Sequence, residues 1–126
     1  MMKRVLFERL VAEALDALPE DFLRHMENVE VVIEAWPTRE DLEDAGLEGE
    51  DRSSLLGLYL GVPLTDRTTD YAGYLPDRIT LFQGPIEAVA GTDPDEIQAE
   101  VQDTVIHEVA HYFGISDERL EEMGWG

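Results

Sequence analysis

Between Asp93 and Gly114 the sequence specifies one long helix with both of its ends marked. Asp93 can cap it, Pro94 suits the first helical position, and Glu96 completes an Asp-x-x-Glu capping pattern. Asp95 and Glu96 also complement the positive end of the helix dipole. Ile97, Val101, Val105, Val109 and Phe113 recur every four residues and predict a core-facing stripe. Gly114 is the natural stop, because glycine takes the left-handed conformation at little cost.

The other face of that helix carries chemistry. Glu100, Asp103, Thr104, His107 and His111 lie on it, a polar strip suited to a cleft. Two imidazoles four residues apart project from the same side. Both can reach one Zn²⁺ at about 2.0–2.1 Å. Glu108 follows the first histidine directly and is placed to take a proton from a water activated by the metal. A catalytic zinc needs a third protein ligand and an open position. Asp117, three residues after Gly114, is the expected third ligand. Glu118 and Glu121 are its rivals, and Asp117 competes with Ser116 for the cap of a short final helix over Asp117 to Met123. His25, the third of three histidines, is expected to be structural or exposed.

The rest of the chain alternates helical and extended patterns. Leu6, Leu10, Ala14 and Leu18, with Val11 and Leu15 beside them, predict an amphipathic helix over residues 3 to 18. A second helical piece follows Pro19, through Met26. Val29 to Trp36 is β-branched and reads as a strand closed by Pro37. Thr38 with Asp41 resembles a capping box for a short helix near 39–45. Further strands are expected at Leu55 to Leu60 and at Arg78 to Gln83, the latter stopped by Gly84-Pro85.

Composition narrows the class. A chain of 126 residues is one domain, residues 1–126, long enough to bury roughly two thirds of its unfolded surface. There is no cysteine, so neither a disulfide framework nor a thiolate ligand exists. With no uninterrupted apolar segment near the start, the expectation is a cytoplasmic protein. Against 29 Asp and Glu stand nine Lys and Arg, a net charge of −20. Such a surface repels phosphate backbones and anionic lipid, which argues against nucleic acid and membrane as partners.

The string His107-Glu108-Val109-Ala110-His111-Tyr112-Phe113-Gly114-Ile115-Ser116-Asp117 has the spacing H-E-x-x-H-x-x-G-x-x-(D/H). Together with Gly57 to Thr65, Tyr71 to Ile79 and Leu81 to Ile86, it resembles the small bacterial zincin-like metallopeptidases. The resemblance covers most of the chain, most strongly from Leu56 onwards. It implies an α+β minimal zincin-like fold, with a small mixed sheet of about three to four strands flanked by an N-terminal helix and the motif helix. The implied activity is zinc-dependent hydrolysis of a peptide or protein substrate. One departure from metzincins is the absence of a distant Met-turn; Met123 is the nearest candidate and reads as C-terminal packing.

In zincin-like folds, the resemblance further implies, an edge strand beside the motif helix pairs with extended substrate. Prolines flank residues 78–83, so Ile79, Thr80, Leu81 and Phe82 are the expected substrate-binding strand. Tyr71, Tyr74, Tyr112 and Arg67 are candidates for polarising a scissile carbonyl. Two other classes compete with a peptidase: a metal-binding or regulatory module that hydrolyses nothing, and a zinc hydrolase of a non-peptide amide. Glu108 speaks against the first, because a binding-only site has no need of a general base.

Overall fold

The N-terminal helix α1 (Arg4–Asp16) buries Phe7, Leu10, Val11 and Ala14. That i, i+3, i+4, i+7 pattern replaces the stripe expected from Leu6, which is 42% exposed. The computed structural model describes residues 1–61 and 76–124. After α1 come α2 (Glu20–His25), strand β1 (Val29–Glu34) and α3 (Arg39–Asp44). The Thr38–Asp41 capping box is present in both directions, at 2.9 and 3.1 Å. A single 3₁₀ turn (Arg52–Ser54) leads into β2 (Gly57–Leu60). The remaining elements are β3 (Asp77–Phe82), α4 (Gln83–Ala90), α5 (Pro94–Tyr112) and α6 (Asp117–Glu122). Among the described residues, six helices and a three-stranded mixed sheet make the fold α+β.

Helix α4 is a correction to the sequence reading, which expected Gly84-Pro85 only to stop β3. The strand does end there, but the chain turns directly into a helix. Proline is tolerated in a first turn because those N–H groups have no intrahelical partner. Gly84 allows the turn to pack on Trp36: a side chain there would run into the indole ring. The Gly84 N–H donates to the Ala35 carbonyl at 2.9 Å.

Strand order is β1-β3-β2, with β1 parallel and β2 antiparallel to β3. Ile79 and Leu81 are fully buried and point into the main core with α1 and α5. Phe82 lies on the opposite face, in a smaller cluster with Leu42, Leu55 and Leu58. The sheet thus has a covered face on both sides, and α5 lies across one of them beside β2. Among the described residues no helix is long and apolar enough to cross a membrane.

Candidate metal centre

Helix α5 begins as its sequence predicts: the Asp93 side chain accepts from the Asp95 N–H at 2.9 Å, with Pro94 in the first turn. Ile97, Val101, Val105 and Val109 face the core, all at most 2% exposed. The expected stripe stops there. Phe113 is the C-cap residue and is 51% exposed. Rotation of the helix instead buries Thr104, Ile106 and Ala110 beside the stripe.

The helix end positions Asp117. Gly114 has φ of 76°. Its N–H donates to the His111 carbonyl at 3.1 Å, and the Ile115 N–H reaches back to Ala110 at 2.8 Å. These two bonds are a Schellman motif, which satisfies carbonyls the helix would leave open. Ser116 then caps α6, its hydroxyl accepting from the Arg119 N–H at 3.1 Å. Asp117 is therefore not the cap. As the first residue of α6 it turns its carboxylate toward the two histidines. Its Oδ1 stands 3.4 Å from His111 Nε2 and 3.9 Å from His107 Nε2.

His107 is held in one tautomer. Its Nδ1 lies 2.8 Å from the Asp103 carbonyl oxygen and 3.3 Å from that residue's Oδ1. A carbonyl can only accept, so Nδ1 carries the proton and Nε2 presents a lone pair. Glu108 points elsewhere, to β2, where its Oε1 accepts from the Tyr59 N–H at 3.2 Å. Burial raises the Glu108 pKa above its ordinary value, while the Tyr59 bond and the two imidazoles pull it back in part. Glu100, a turn before the site, is also raised, first by burial and then by the neighbouring Asp103 carboxylate.

Ligands at about 2.0–2.1 Å around a tetrahedral ion stand about 3.4 Å from one another. The His111–Asp117 separation has that value. The His107 arm is wider, and among the described residues no three His, Asp or Glu side chains form a closed ligand set. The donor chemistry nonetheless fits zinc: two imidazole Nε2 atoms and one carboxylate oxygen converge. The two histidines border a cleft of about 510 Å³. From α5 it is lined by Asp103, Thr104, His107, Glu108 and His111, and from β2 and the segment leading into it by Leu47, Leu55, Leu56 and Leu58 together with Ser54.

The strand expected to bind substrate is placed differently. Ile79, Thr80, Leu81 and Phe82 lie in β3, the middle strand, paired with β1 on one side and β2 on the other. Asp77 N–H donates to Asn28 and Phe82 N–H to Leu56, so alternate residues serve opposite neighbours. Ile79 to Phe82 therefore have no open edge to offer. The prolines misled because Pro76 precedes the strand and Pro85 falls inside α4, so neither interrupts a ladder. β2 is the strand beside α5.

Tyr112 stacks on Tyr59, ring centroids 4.1 Å apart, and its hydroxyl abuts Gly61. His25 is exposed and lies against Phe113, at 5.8 Å. Glu118 and Glu121 are exposed on α6, and Met123, its C-cap residue, is half-buried. Arg67, Tyr71 and Tyr74 lie outside the described residues. Sequence reasoning missed the Tyr59 amide and the Asp103 carbonyl, since backbone groups carry no side-chain signature.

Residues 26–125 match the family model of zincin-like metallopeptidases, and the chain belongs to that family. Among solved structures it is similar to a conserved hypothetical protein of T. thermophilus. The two are 32% identical over 89% of this chain and 94% of the other, with a TM-score of 0.53. No curated protein matches the chain.

Proposed function

We propose that the protein is a zinc-dependent peptidase in which His107, His111 and Asp117 hold the ion and Glu108 is the general base. The observation that carries this reading is the approach of the Asp117 Oδ1 to both Nε2 atoms, at 3.4 and 3.9 Å, where His107, His111 and Glu108 line one cleft. Zinc in that position supplies Lewis acidity toward a water and a scissile carbonyl. The chain's own residues do the rest. Asp103 fixes the His107 ring through Nδ1. Oε1 of Glu108 is committed to the Tyr59 amide, which leaves Oε2 to take the proton of the attacking water and return it to the leaving amine. Burial raises the proton affinity of that carboxylate toward what a base for water needs. An extended peptide lies in the cleft along Leu55 to Leu58, with an apolar side chain against the leucine wall.

The experiment is metal analysis of protein refolded with excess zinc, paired with cleavage of a peptide library. One Zn²⁺ per chain is expected, lost in His107→Ala and His111→Ala, with cleavage abolished in Glu108→Gln. Wild type that bound no more zinc than the double histidine variant would overturn the reading. Zinc binding without cleavage of any peptide would favour a binding module or a hydrolase of a non-peptide amide.

A further inference from the structure

Three contacts between α5 and β2 share one spacing. Thr104, Glu108 and Tyr112 follow each other by four residues on the helix. They meet Gly57, Tyr59 and Gly61, which follow each other by two along β2 and its first residue beyond. Four helical residues advance about 6 Å, and two strand residues about 6.6–6.8 Å. The two rows therefore stay in step over this short run. The outer contacts depend on missing side chains. A Cβ on Gly57 would stand 2.7 Å from the Thr104 Cγ2 and 3.5 Å from the Glu108 Cγ. A Cβ on Gly61 would enter the Tyr112 ring, 2.6 Å from Cζ. Neither glycine has a positive φ, so the reason for glycine here is proximity and not backbone conformation. Between them, the Tyr59 N–H meets Glu108. Because Leu56 bonds β3 through the Phe82 amide, the antiparallel alternation turns the Tyr59 amide away from β3.

We propose that Gly57 and Gly61 are positioning residues for Glu108. Bare backbone on either side of Tyr59 lets α5 lie close enough for the Tyr59 amide to hold Oε1, so that Oε2 is presented to the cleft. The kinetic consequence rests on reading Glu108 as the general base; the contact itself does not. Alanine at position 57 has to push β2 off the helix, and the obstacle is one methyl group. Thr104→Ser deletes that methyl and gives the strand its room back.

The test compares Gly57→Ala, Thr104→Ser and the double variant by three readouts. The first is the NMR shift and hydrogen-exchange rate of the Tyr59 amide in metal-free protein. The second is zinc affinity by chelator competition, and the third is kcat and KM on a peptide the wild type cleaves. In Gly57→Ala the Tyr59 amide should lose its hydrogen-bonded shift and exchange faster. Zinc affinity should stay within about threefold, because His107, His111 and Asp117 are not on the β2 contact. Meanwhile kcat should fall about 10- to 100-fold with KM little changed, as for a displacement near 1 Å. The double variant should recover the amide signal and most of kcat relative to Thr104→Ser. If Gly57→Ala does not fold, the double variant against Thr104→Ser still decides. An unaltered Tyr59 amide in Gly57→Ala, or a double variant that fails to restore it, overturns the proposal. A wild type that cleaves nothing overturns the peptidase reading, and the amide signal then decides the positioning claim alone.

Discussion

His111 Nε2 and Asp117 Oδ1 stand 3.4 Å apart, the spacing of two ligands on one tetrahedral ion. Three local features produce it: a glycine in the left-handed region, a Schellman pair of hydrogen bonds, and a serine that takes the capping role. Without Ser116, the carboxylate next to it is the best remaining cap.

The first prediction follows. Asp117→Ala should weaken zinc binding more than Glu118→Ala or Glu121→Ala, by at least the about 10- to 100-fold that loss of a ligand's outer support costs. Ser116→Ala should destabilise α6 by about 1 kcal/mol and also weaken zinc, as Asp117 is drawn to the open N–H groups. Chelator competition ranks the variants. A ranking with Glu121→Ala as the weakest binder would assign the third ligand to α6's far turn.

Much of the geometry of this candidate site was legible because it is local. His107, Glu108, His111, Gly114 and Asp117 fall within one helix and its exit, where helical periodicity and capping chemistry decide geometry over a few residues. The small mixed sheet and its flanking helices were legible for the same reason, from β-branched runs and capped ends. Pairing order was not. Whether Arg78 to Phe82 lies at an edge or in the middle depends on which distant strands meet it, and its prolines pointed to the edge. Residues 83–90 were missed because Gly84-Pro85 reads as punctuation, although proline is compatible with a first helical turn. Phe113 continued the four-residue stripe on paper, but the helix ends at Tyr112 and the ring turns outward onto His25.

The middle position of β3 gives a second prediction. Leu81 is fully buried and sits between β1 and β2. Leu81→Pro removes a ladder donor and a core side chain together, and loss of a buried leucine side chain alone costs about 2–5 kcal/mol. The variant should fail to fold, shown by a lost cooperative thermal transition and not by a selective loss of peptide binding. A folded Leu81→Pro protein with intact zinc affinity would contradict the observed strand order.

Substrate preference supplies a third. Leu47 and Leu56 are partly exposed on the leucine wall of the cleft that His107 and His111 also line. Leu47→Glu or Leu56→Glu places a carboxylate where the proposed peptide puts an apolar side chain. kcat/KM for such peptides should fall about tenfold or more, since one misplaced apolar contact is worth about 1–3 kcal/mol. Zinc content should be unchanged. Equal losses on peptides with apolar and with polar residues at that position would show that the wall does not select.

The last prediction concerns a conflict between stability and catalysis at Glu108. Burial is the largest influence on this carboxyl and raises its pKa above the ordinary 4.5. A carboxyl whose folded pKa is raised holds its proton more tightly in the folded state than in the unfolded one. Ionisation therefore costs folding free energy; the cost grows as pH rises through the unfolded pKa to the folded one, and is fully present above both. Glu108→Gln removes that cost while keeping an Oε1 that can accept from the Tyr59 amide. Metal-free Glu108→Gln should therefore melt above metal-free wild type at pH 7, and the difference should vanish near pH 3.5, where both proteins carry a neutral group at this position. The same variant should bind zinc and lose nearly all hydrolysis, because an amide cannot take the water's proton. Thermal melts of both proteins across pH 3.5–8, with metal removed, check the stability half. A Gln variant that melts lower at pH 7 would mean that the ionised carboxylate stabilises the fold and that burial is not its dominant influence.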